Sequence, residues 1–224
     1  MSISTPKEAL YLELGLVPIG ILLKMMRVKY LYYLMKRSKE EMLSQFFWVQ
    51  WNSPVRNDWT VTVRQDLADL GMSANPEELL KYSKYSLNKI VKDKARDYAF
   101  RILNQLKASH AKLKLVQYSE FKLQSYFTLP GVDISDLRNI FSFRVHMQNF
   151  AENFRSTASS RLCPLCKKHL DSQDMLATCN LITTVFKGSI EQEVQNVYSD
   201  NVEINSMKKV VEAIYLRDKH IKDK

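Results

Sequence analysis

Apolar residues recur along this 224-residue chain at the spacing of helices rather than of strands. The clearest case runs from Ser86 to Ala108, where one face at about 100° per residue collects most of the apolar side chains. Its members are Leu87, Ile90, Val91, Ala95, Tyr98, Ala99, Ile102, Leu103 and Leu106. The best alternating segment, Trp59 to Val63, also fits a helix that starts after Asp58. The pattern predicts helices at about 5–14, 18–36, 39–51, 58–70, 76–84, 86–108, 133–151, 190–198 and 205–219.

Helix-start chemistry supports these positions. A capping side chain stands shortly before acidic or amide residues at Thr5, Ser38, Asn75, Asp133 and Ser189. Gly71 and Gly131 are candidate stop signals. The helical pattern is interrupted from about 154 to 189, beginning with five small residues at 156–160, four of them polar. We therefore predict an all-α fold: a multi-helix bundle (1–155), a small cysteine-knuckle module (156–189) and C-terminal helices (190–224).

Composition narrows the class of protein further. Five glycines and six prolines are too few for an all-β chain with many tight turns. The longest apolar run, 14–23, is too short to span a bilayer, and Glu8 and Glu13 stand where a signal peptide would be basic and then apolar. The expected protein is intracellular, nuclear or cytoplasmic, without a membrane partner. Its oligomeric state is not predicted.

The positive charge is concentrated in two stretches. The net charge is +9, from 33 basic and 24 acidic residues. Residues 14–39 hold six basic side chains and no acidic one, and residues 81–114 hold ten basic and two acidic ones. Together the stretches carry +14, so the rest of the chain is slightly acidic at −5. Clustered charge of this sign favours a polyanionic partner.

A cationic stripe that includes an aromatic ring can contact phosphates and stack on a base or sugar. The candidate nucleic-acid contacts are Lys24, Arg27, Lys36, Arg37, Lys89, Lys92, Arg96, Phe100 and Lys107. The alternative is a solvated polar face whose Phe100 packs against a neighbouring helix. The tyrosines at 30, 32 and 33 are expected to serve mainly in packing.

The three cysteines, Cys163, Cys166 and Cys179, lie within 17 positions. A C-x₂-C knuckle directs two thiolates at one cation, and a short following helix can return further ligands from one face. Cys179 is the third candidate ligand, and His169 is the nearest candidate for the fourth. Met175, four residues before Cys179, is a poor zinc ligand.

Three interpretations of this cluster remain open. One is a Zn²⁺ site of three thiolates completed by His169 or water. Another is a finger that has lost its metal and keeps reduced, half-buried cysteines. The third is a redox C-x-x-C motif, which the absence of a preceding strand and of a βαβ pattern disfavours.

The order of several blocks resembles the region downstream of the reverse transcriptase core in non-LTR (LINE-type) retrotransposon proteins. The blocks are Gly-Leu-Val-Pro-Ile (15–19), Arg-Val-Lys-Tyr-Leu-Tyr-Tyr-Leu (27–34), Pro-Val-Arg-Asn-Asp-Trp (54–59), Asp-Leu-Ala-Asp-Leu-Gly (66–71), Ile-Phe-Ser-Phe-Arg-Val-His-Met (140–147), Asn-Phe-Arg (153–155), Cys-Pro-Leu-Cys (163–166) and Asp-Ser-Gln-Asp-Met-Leu-Ala-Thr-Cys (171–179). The resemblance implies that Cys163, Cys166 and Cys179 are the thiolate ligands of a terminal zinc knuckle. It places Met175 where the family has a ligand histidine, so the knuckle is degenerate.

The resemblance implies that the protein binds RNA or DNA. The sequence lacks the residue patterns expected of an enzyme that acts on nucleic acid. The chain has no adjacent aspartate pair for two-metal nucleotidyl transfer and no Gly-rich phosphate loop. His110 and His146 stand without a nucleophile partner. The predicted function is a non-enzymatic RNA- or DNA-binding protein or fragment with weak sequence preference. The alternative is a helical protein-interaction or structural remnant that has kept its core and lost nucleic-acid binding.

Overall fold

A computed structural model describes residues 6–56, 58–110, 113, 115–148, 150, 153 and 162–222. Within these residues the chain forms α-helices, one short 3₁₀ helix at Ser125–Thr128 and two isolated β-bridges, with no strand. The predicted all-α class is confirmed. The α-helices, numbered in chain order, are α1 (Lys7–Leu14), α2 (Ile19–Met35), α3 (Met42–Asn52), α4 (Trp59–Asp69), α5 (Pro76–Leu80), α6 (Lys84–Ser109), α7 (Ile134–Arg144), α8 (Gln173–Leu176), α9 (Asn180–Val185), α10 (Glu191–Val197) and α11 (Ile204–Lys222).

The chain divides into two compact units. The central unit is Val17–Asn104, and the terminal unit joins Met1–Leu16 to Gln105–Lys224. This division differs from the predicted modules 1–155, 156–189 and 190–224, because the first helix is packed with residues more than a hundred positions away. Local composition carries no signal of such pairing. The predicted boundary near 155, the small residues at 156–160 and the Thr5 cap lie outside the described residues.

In the central unit, α2 packs against α3, α4 and α5. Its core includes Val28 and Leu31 of α2 and Val63 and Leu67 of α4, all buried. On α6 the buried residues are Leu87, Val91, Ala95, Ala99 and Leu103. These five residues are four positions apart throughout, so the helical face predicted from the sequence is confirmed, with Leu106 at its exposed edge.

In the terminal unit, α11 packs against α7 and α10. A buried ion pair lies in the core of this unit: Arg144 Nε donates to Glu13 Oε1 at 2.8 Å, and both side chains are fully buried. The hydroxyls of Tyr118 and Tyr126 donate to the two oxygens of the same carboxylate, at 2.7 and 2.8 Å. The guanidinium also donates to the backbone carbonyls of Val197 and Ser199. The buried charges are thereby paired and hydrogen-bonded, as burial of an ion requires.

Several helix ends follow the predicted chemistry. Asn75 accepts a hydrogen bond from the N–H of Glu77, with Pro76 as the first helical residue, and Asp133 caps α7 through the N–H of Asp136. Asp58 caps α4, so the ambiguous segment after it is a helix. Gly71, at φ +62°, follows α4 as predicted.

Other predicted helix ends were wrong. The Ser38 hydroxyl accepts from Glu40 N–H in a turn, and α3 begins only at Met42. The helix predicted over 133–151 ends at Arg144, because His146 adopts φ +51° and the chain turns. Gly131, also at positive φ, lies in the turn before α7 and ends no α-helix.

Gly15 is a helix stop that the sequence pattern did not single out. It ends α1 at φ +61°, where the backbone of Lys122 and Leu123 runs alongside. A Cβ on this residue would lie 2.5 Å from the carbonyl carbon of Lys122. Only glycine fits both the left-handed conformation and the close backbone approach.

Among the described residues, no single helix is long and apolar enough to cross a membrane, and one pair, α1 with α2, passes that test only when the two are taken together.

Candidate metal centre and basic helical surface

The first two cysteines lie on a short hairpin closed by backbone hydrogen bonds. Leu162 and Leu170 form an antiparallel bridge, and the N–H of Cys163 donates to the carbonyl of His169 at 2.7 Å. The N–H of Lys167 returns to the carbonyl of Cys163 at 2.9 Å, and Lys167 takes φ +57°. This tight turn brings the sulfurs of Cys163 and Cys166 within 4.8 Å of each other.

Cys179 completes a group of three thiols. The three Sγ atoms lie within 4.8 Å of one another, and those of Cys163 and Cys179 are 3.9 Å apart. Cys163 and Cys179 are buried, Cys166 is partly exposed, and all three are free thiols. In a tetrahedral site with Zn–S bonds of 2.3 Å, adjacent sulfurs are about 3.8 Å apart. The cluster therefore has the dimensions of a metal site.

The environment of the sulfurs differs between the two knuckle positions. Burial raises the pKa of the Cys163 thiol to about 11. Burial also acts to raise the pKa of Cys166, but the backbone N–H groups of Lys168 and His169 donate to its sulfur, and its pKa lies below the ordinary value. Backbone donors directed at a sulfur stabilise the thiolate, which is the form that binds a metal.

The predicted fourth ligand and the predicted helical pair of ligands are not found as expected. Within the described residues the potential ligand group holds the three cysteines and does not include His169, whose carbonyl instead closes the hairpin. α8 ends at Leu176, and Cys179 lies at the N-cap of α9, because the chain turns between them. Cys179 and the half-buried Met175 therefore do not share one helix.

Buried polar residues that the sequence analysis did not single out hold this segment in the terminal unit. The amide of Gln173 is buried and donates to the carbonyl of Phe143 and to the hydroxyl of Tyr198. Asp171 pairs with Arg217 of α11, whose guanidinium lies 4.2 Å from the ring centroid of Phe150. Asp171 and Gln173 belong to the block after the knuckle, but only the fold shows what they bind.

In the central unit, two of the predicted phosphate contacts are already neutralised. Lys24 Nζ lies 3.0 Å from Asp66 and 2.7 Å from Asp69, and Arg27 donates twice to Asp66. Burial acts to lower the pKa of Lys24, but hydrogen bonds to Asp69 and Asp66 outweigh it, and the pKa lies above its ordinary value. The carboxylates of α4 therefore satisfy these cations internally.

Two further predicted contacts have internal partners. Arg37 pairs with Glu41 at 2.7 Å, and its guanidinium lies over the ring of Tyr33. In the terminal unit, Lys107 is half-buried and donates to the carbonyl of Val116, and burial lowers its pKa. These two cations are less available to a phosphate than the sequence pattern indicated.

The predicted stripe on α6 is divided by exposure. Lys89 and Lys92 are exposed, as a phosphate contact requires. Arg96 and Phe100 are half-buried, so Phe100 is not the freely exposed ring that the stripe suggested. Lys36, at the end of α2, is exposed, with Nζ 5.6 Å from the ring centroid of Tyr32.

A cleft of about 450 Å³ lies between α2 and α6 within the central unit. It is lined by Lys29, Tyr32, Tyr33, Lys36, Lys84, Leu87 and Asn88. Lys29 and Lys84 are absent from the predicted contacts, although Lys29 and Lys36 are two helical turns apart and so share a face of α2. Tyr32 is buried, with its hydroxyl donating to the carbonyl of Tyr82, which confirms its packing role, whereas Tyr33 is half exposed.

Comparison of the chain with protein-family models, with curated proteins and with solved structures gives no match. The resemblance to the post-polymerase region of LINE-type elements therefore stays a prediction that rests on the sequence blocks.

Proposed function

We propose that this chain is a non-enzymatic nucleic-acid-binding protein or fragment, and that it binds RNA or DNA through the exposed lysines of its central unit. The observation that carries the proposal is the group Lys36, Lys84, Lys89 and Lys92 on α2 and α6. All four are exposed, and none is found in an ion pair within the described residues. Exposed cations without a carboxylate partner are the groups that release counterions when they meet phosphates.

The distribution of the remaining charge supports the same surface. Lys24, Arg27 and Arg37 neighbour this group but are paired with carboxylates. The phosphate contacts are therefore fewer than the sequence pattern suggested, and they are displaced towards α6. The sequence resemblance to a region that handles template RNA or target DNA agrees with this assignment.

Binding should be tested by fluorescence anisotropy with a mixed-sequence 20-nucleotide RNA at several salt concentrations. For four phosphate contacts, the slope of log K against log salt should be about −3. The Lys89→Gln/Lys92→Gln variant should flatten this slope by about one to two, and the matched α11 variant Lys208→Gln/Lys219→Gln should leave it unchanged. An affinity that does not change with salt would contradict the proposal and favour the protein-interaction remnant.

A second proposal concerns the cysteine cluster: it holds a structural Zn²⁺ through Cys163, Cys166 and Cys179, with water as the fourth ligand. The sulfur separations and the backbone donors to the Cys166 sulfur support this ligand set. Water is assigned because the ring of His169 is not in the group. Such an ion would tie the knuckle hairpin to the start of α9.

Metal analysis of the purified protein tests the zinc centre. We expect about one equivalent of zinc in the unaltered chain and a loss of most of it in Cys163→Ser. His169→Gln should keep the metal, because the ring is not assigned as a ligand. Less than about a tenth of an equivalent in the unaltered chain would favour the finger that has lost its metal.

A further inference from the structure

The cleft between α2 and α6 combines two kinds of surface in one place. Its floor includes the buried side chains of Leu87 and Tyr32, and the Tyr32 ring is fixed by the 2.7 Å hydrogen bond from its hydroxyl to the Tyr82 carbonyl. Three lysines also line it: Lys36 and Lys84, which are exposed, form its rim together with the half-buried Lys29. Among the described residues that line the cleft there is no carboxylate. An apolar floor with a cationic rim fits a flat, weakly polar ring that is attached to a negative group.

The size and polarity of the cleft agree with a ligand of this kind. A volume of about 450 Å³ lies within the range of small-ligand sites. Asn88 is half-buried beside the floor and offers both an amide donor and an amide acceptor. A nucleobase edge presents donors and acceptors that an amide can match.

We propose, on the basis of the nucleic-acid function above, that this cleft takes one unpaired nucleotide of a single-stranded nucleic acid. The base lies against the half-exposed ring of Tyr33, above the floor of Leu87 and Tyr32 and within reach of Asn88, and the flanking phosphates meet Lys29, Lys36 and Lys84. The lysines on the outer face of α6, Lys89 and Lys92, contact phosphates further along the strand.

This arrangement selects single strands over duplexes. In a duplex the bases are stacked and paired, so a base can enter a cleft only after it is pulled out of the helix at a cost in free energy. An unpaired base enters without that cost. The exposed lysines alone would accept either form, since phosphates are common to both.

A variant that fills the cleft without changing the charge separates the two kinds of contact. Asn88→Trp places a large ring where the base would lie and keeps every lysine. We expect the affinity for a mixed 20-nucleotide single strand to fall about tenfold, while the affinity for the corresponding duplex changes less than about twofold. Gln105→Trp, an exposed position on the same helix, is the matched control and should affect neither.

A second variant tests the cleft independently, in case Asn88→Trp does not fold. Lys36→Gln/Lys84→Gln changes two exposed side chains on the rim, and it should reduce the salt slope for the single strand by about one to two. Lys208→Gln/Lys219→Gln on α11 is its control. Inorganic phosphate should compete with the strand more weakly than a 5′-mononucleotide, because it lacks the base.

The outcomes distinguish this cleft from the broader proposal. Selective loss of single-strand binding in Asn88→Trp, with a mononucleotide that competes better than phosphate, supports the cleft. If the unaltered protein binds nucleic acid with the expected salt dependence but Asn88→Trp weakens both forms equally or neither, the cleft assignment is overturned and the surface proposal stands. If the unaltered protein binds neither form, both proposals fall.

Discussion

Each compact unit contains a distinctive group of cations, and the two groups lie at opposite extremes of exposure to solvent. In the terminal unit, Arg144 is fully buried against Glu13, and Arg217 is almost fully buried against Asp171. In the central unit, the lysines at 36, 84, 89 and 92 face solvent without a carboxylate partner within the described residues. Cationic side chains thus form part of the core in one unit, as arginines, and a candidate binding surface in the other, as lysines. Net charge read from a sequence therefore overstates the charge that a polyanion can meet.

Breaking the buried pair should have the largest effect on stability. Arg144→Met leaves the Glu13 carboxylate buried without its counter-charge, and we expect the free energy of unfolding to fall by about 4 kcal/mol. Urea denaturation measures the change. The double variant Glu13→Leu/Arg144→Met should recover part of the loss, because no uncompensated charge remains. A loss below about 1 kcal/mol in the single variant would show that the pair does not hold the terminal unit together.

The tyrosines around this pair predict a loss of stability in alkali. Burial, and then the neighbouring Glu13 charge, raises the pKa of Tyr118 and of Tyr126 well above the ordinary tyrosine value of about 10. The folded state therefore keeps protons that the unfolded state releases. The stabilisation is fully present below pH 10 and is lost as the pH rises above it, by about 1.4 kcal/mol per pH unit for each tyrosine.

Urea denaturation at stepped alkaline pH measures this loss, and tyrosinate absorbance follows the ionisation. Tyr126→Phe should flatten the decline in unfolding free energy above pH 10, and Tyr85→Phe, which changes a highly exposed ring of the central unit, should not. A decline of the same steepness in both variants would refute the role of the buried hydroxyls.

Gly15 and Gly20 offer a matched test of backbone strain in the two units. Gly15→Ala forces a Cβ into the backbone of Lys122 at positive φ, and we expect a loss of about 2 kcal/mol or more. Gly20 lies in α2 with no atom near its added Cβ. Gly20→Ala should be neutral or stabilising by up to about 1 kcal/mol, since alanine favours the helix. Thermal unfolding compares the two, and equal losses would contradict the close approach at Gly15.

Loss of the Asp66 carboxylate should make paired cations of the central unit available to phosphates. This buried carboxylate holds Lys24 and Arg27, so Asp66→Asn should cost about 2 kcal/mol of unfolding free energy. It should also release both cations towards solvent and steepen the salt slope for single-stranded RNA by about 0.7 for each new phosphate contact. Glu212→Gln, which makes the same kind of change at an exposed carboxylate of α11, serves as the control for stability. An unchanged slope would mean that these cations do not border the binding surface.

The helices were largely predictable because a helix is a local pattern. The four-residue repeat of buried positions on α6 and the caps at Asn75 and Asp133 depend on neighbours within one or two turns. The hairpin that carries the first two cysteines is also local, since its backbone contacts join residues only six or eight positions apart. The early end of α7 was not predictable. His146 adopts the left-handed conformation, which a sequence signals clearly only when the residue is glycine.

The partners of the charged residues were not predictable from the same pattern. Glu13 and Arg144 are separated by 131 positions, and Lys24 and Asp66 by 42. A sequence shows that a lysine lies on a polar face but not whether a carboxylate from another helix faces it. The cleft was missed for a related reason, since Lys29 and Lys36 of α2 meet Lys84 only once the helices pack.

The exposed ion pair of Glu193 with Lys209 also lies in the terminal unit. It tests whether an ion pair there contributes to the free energy of unfolding only when it is buried. Lys209 Nζ lies 2.5 Å from Glu193 Oε1, and the hydrogen bond from Lys209 lowers the pKa of Glu193. The pair therefore stabilises the fold above the ordinary glutamate pKa and loses that contribution in acid. Because Lys209 is half exposed, Glu193→Gln should cost less than about 1 kcal/mol at neutral pH, and added salt should reduce the difference further. A loss as large as that of Arg144→Met would mean that the terminal unit depends on its ion pairs irrespective of their exposure to water.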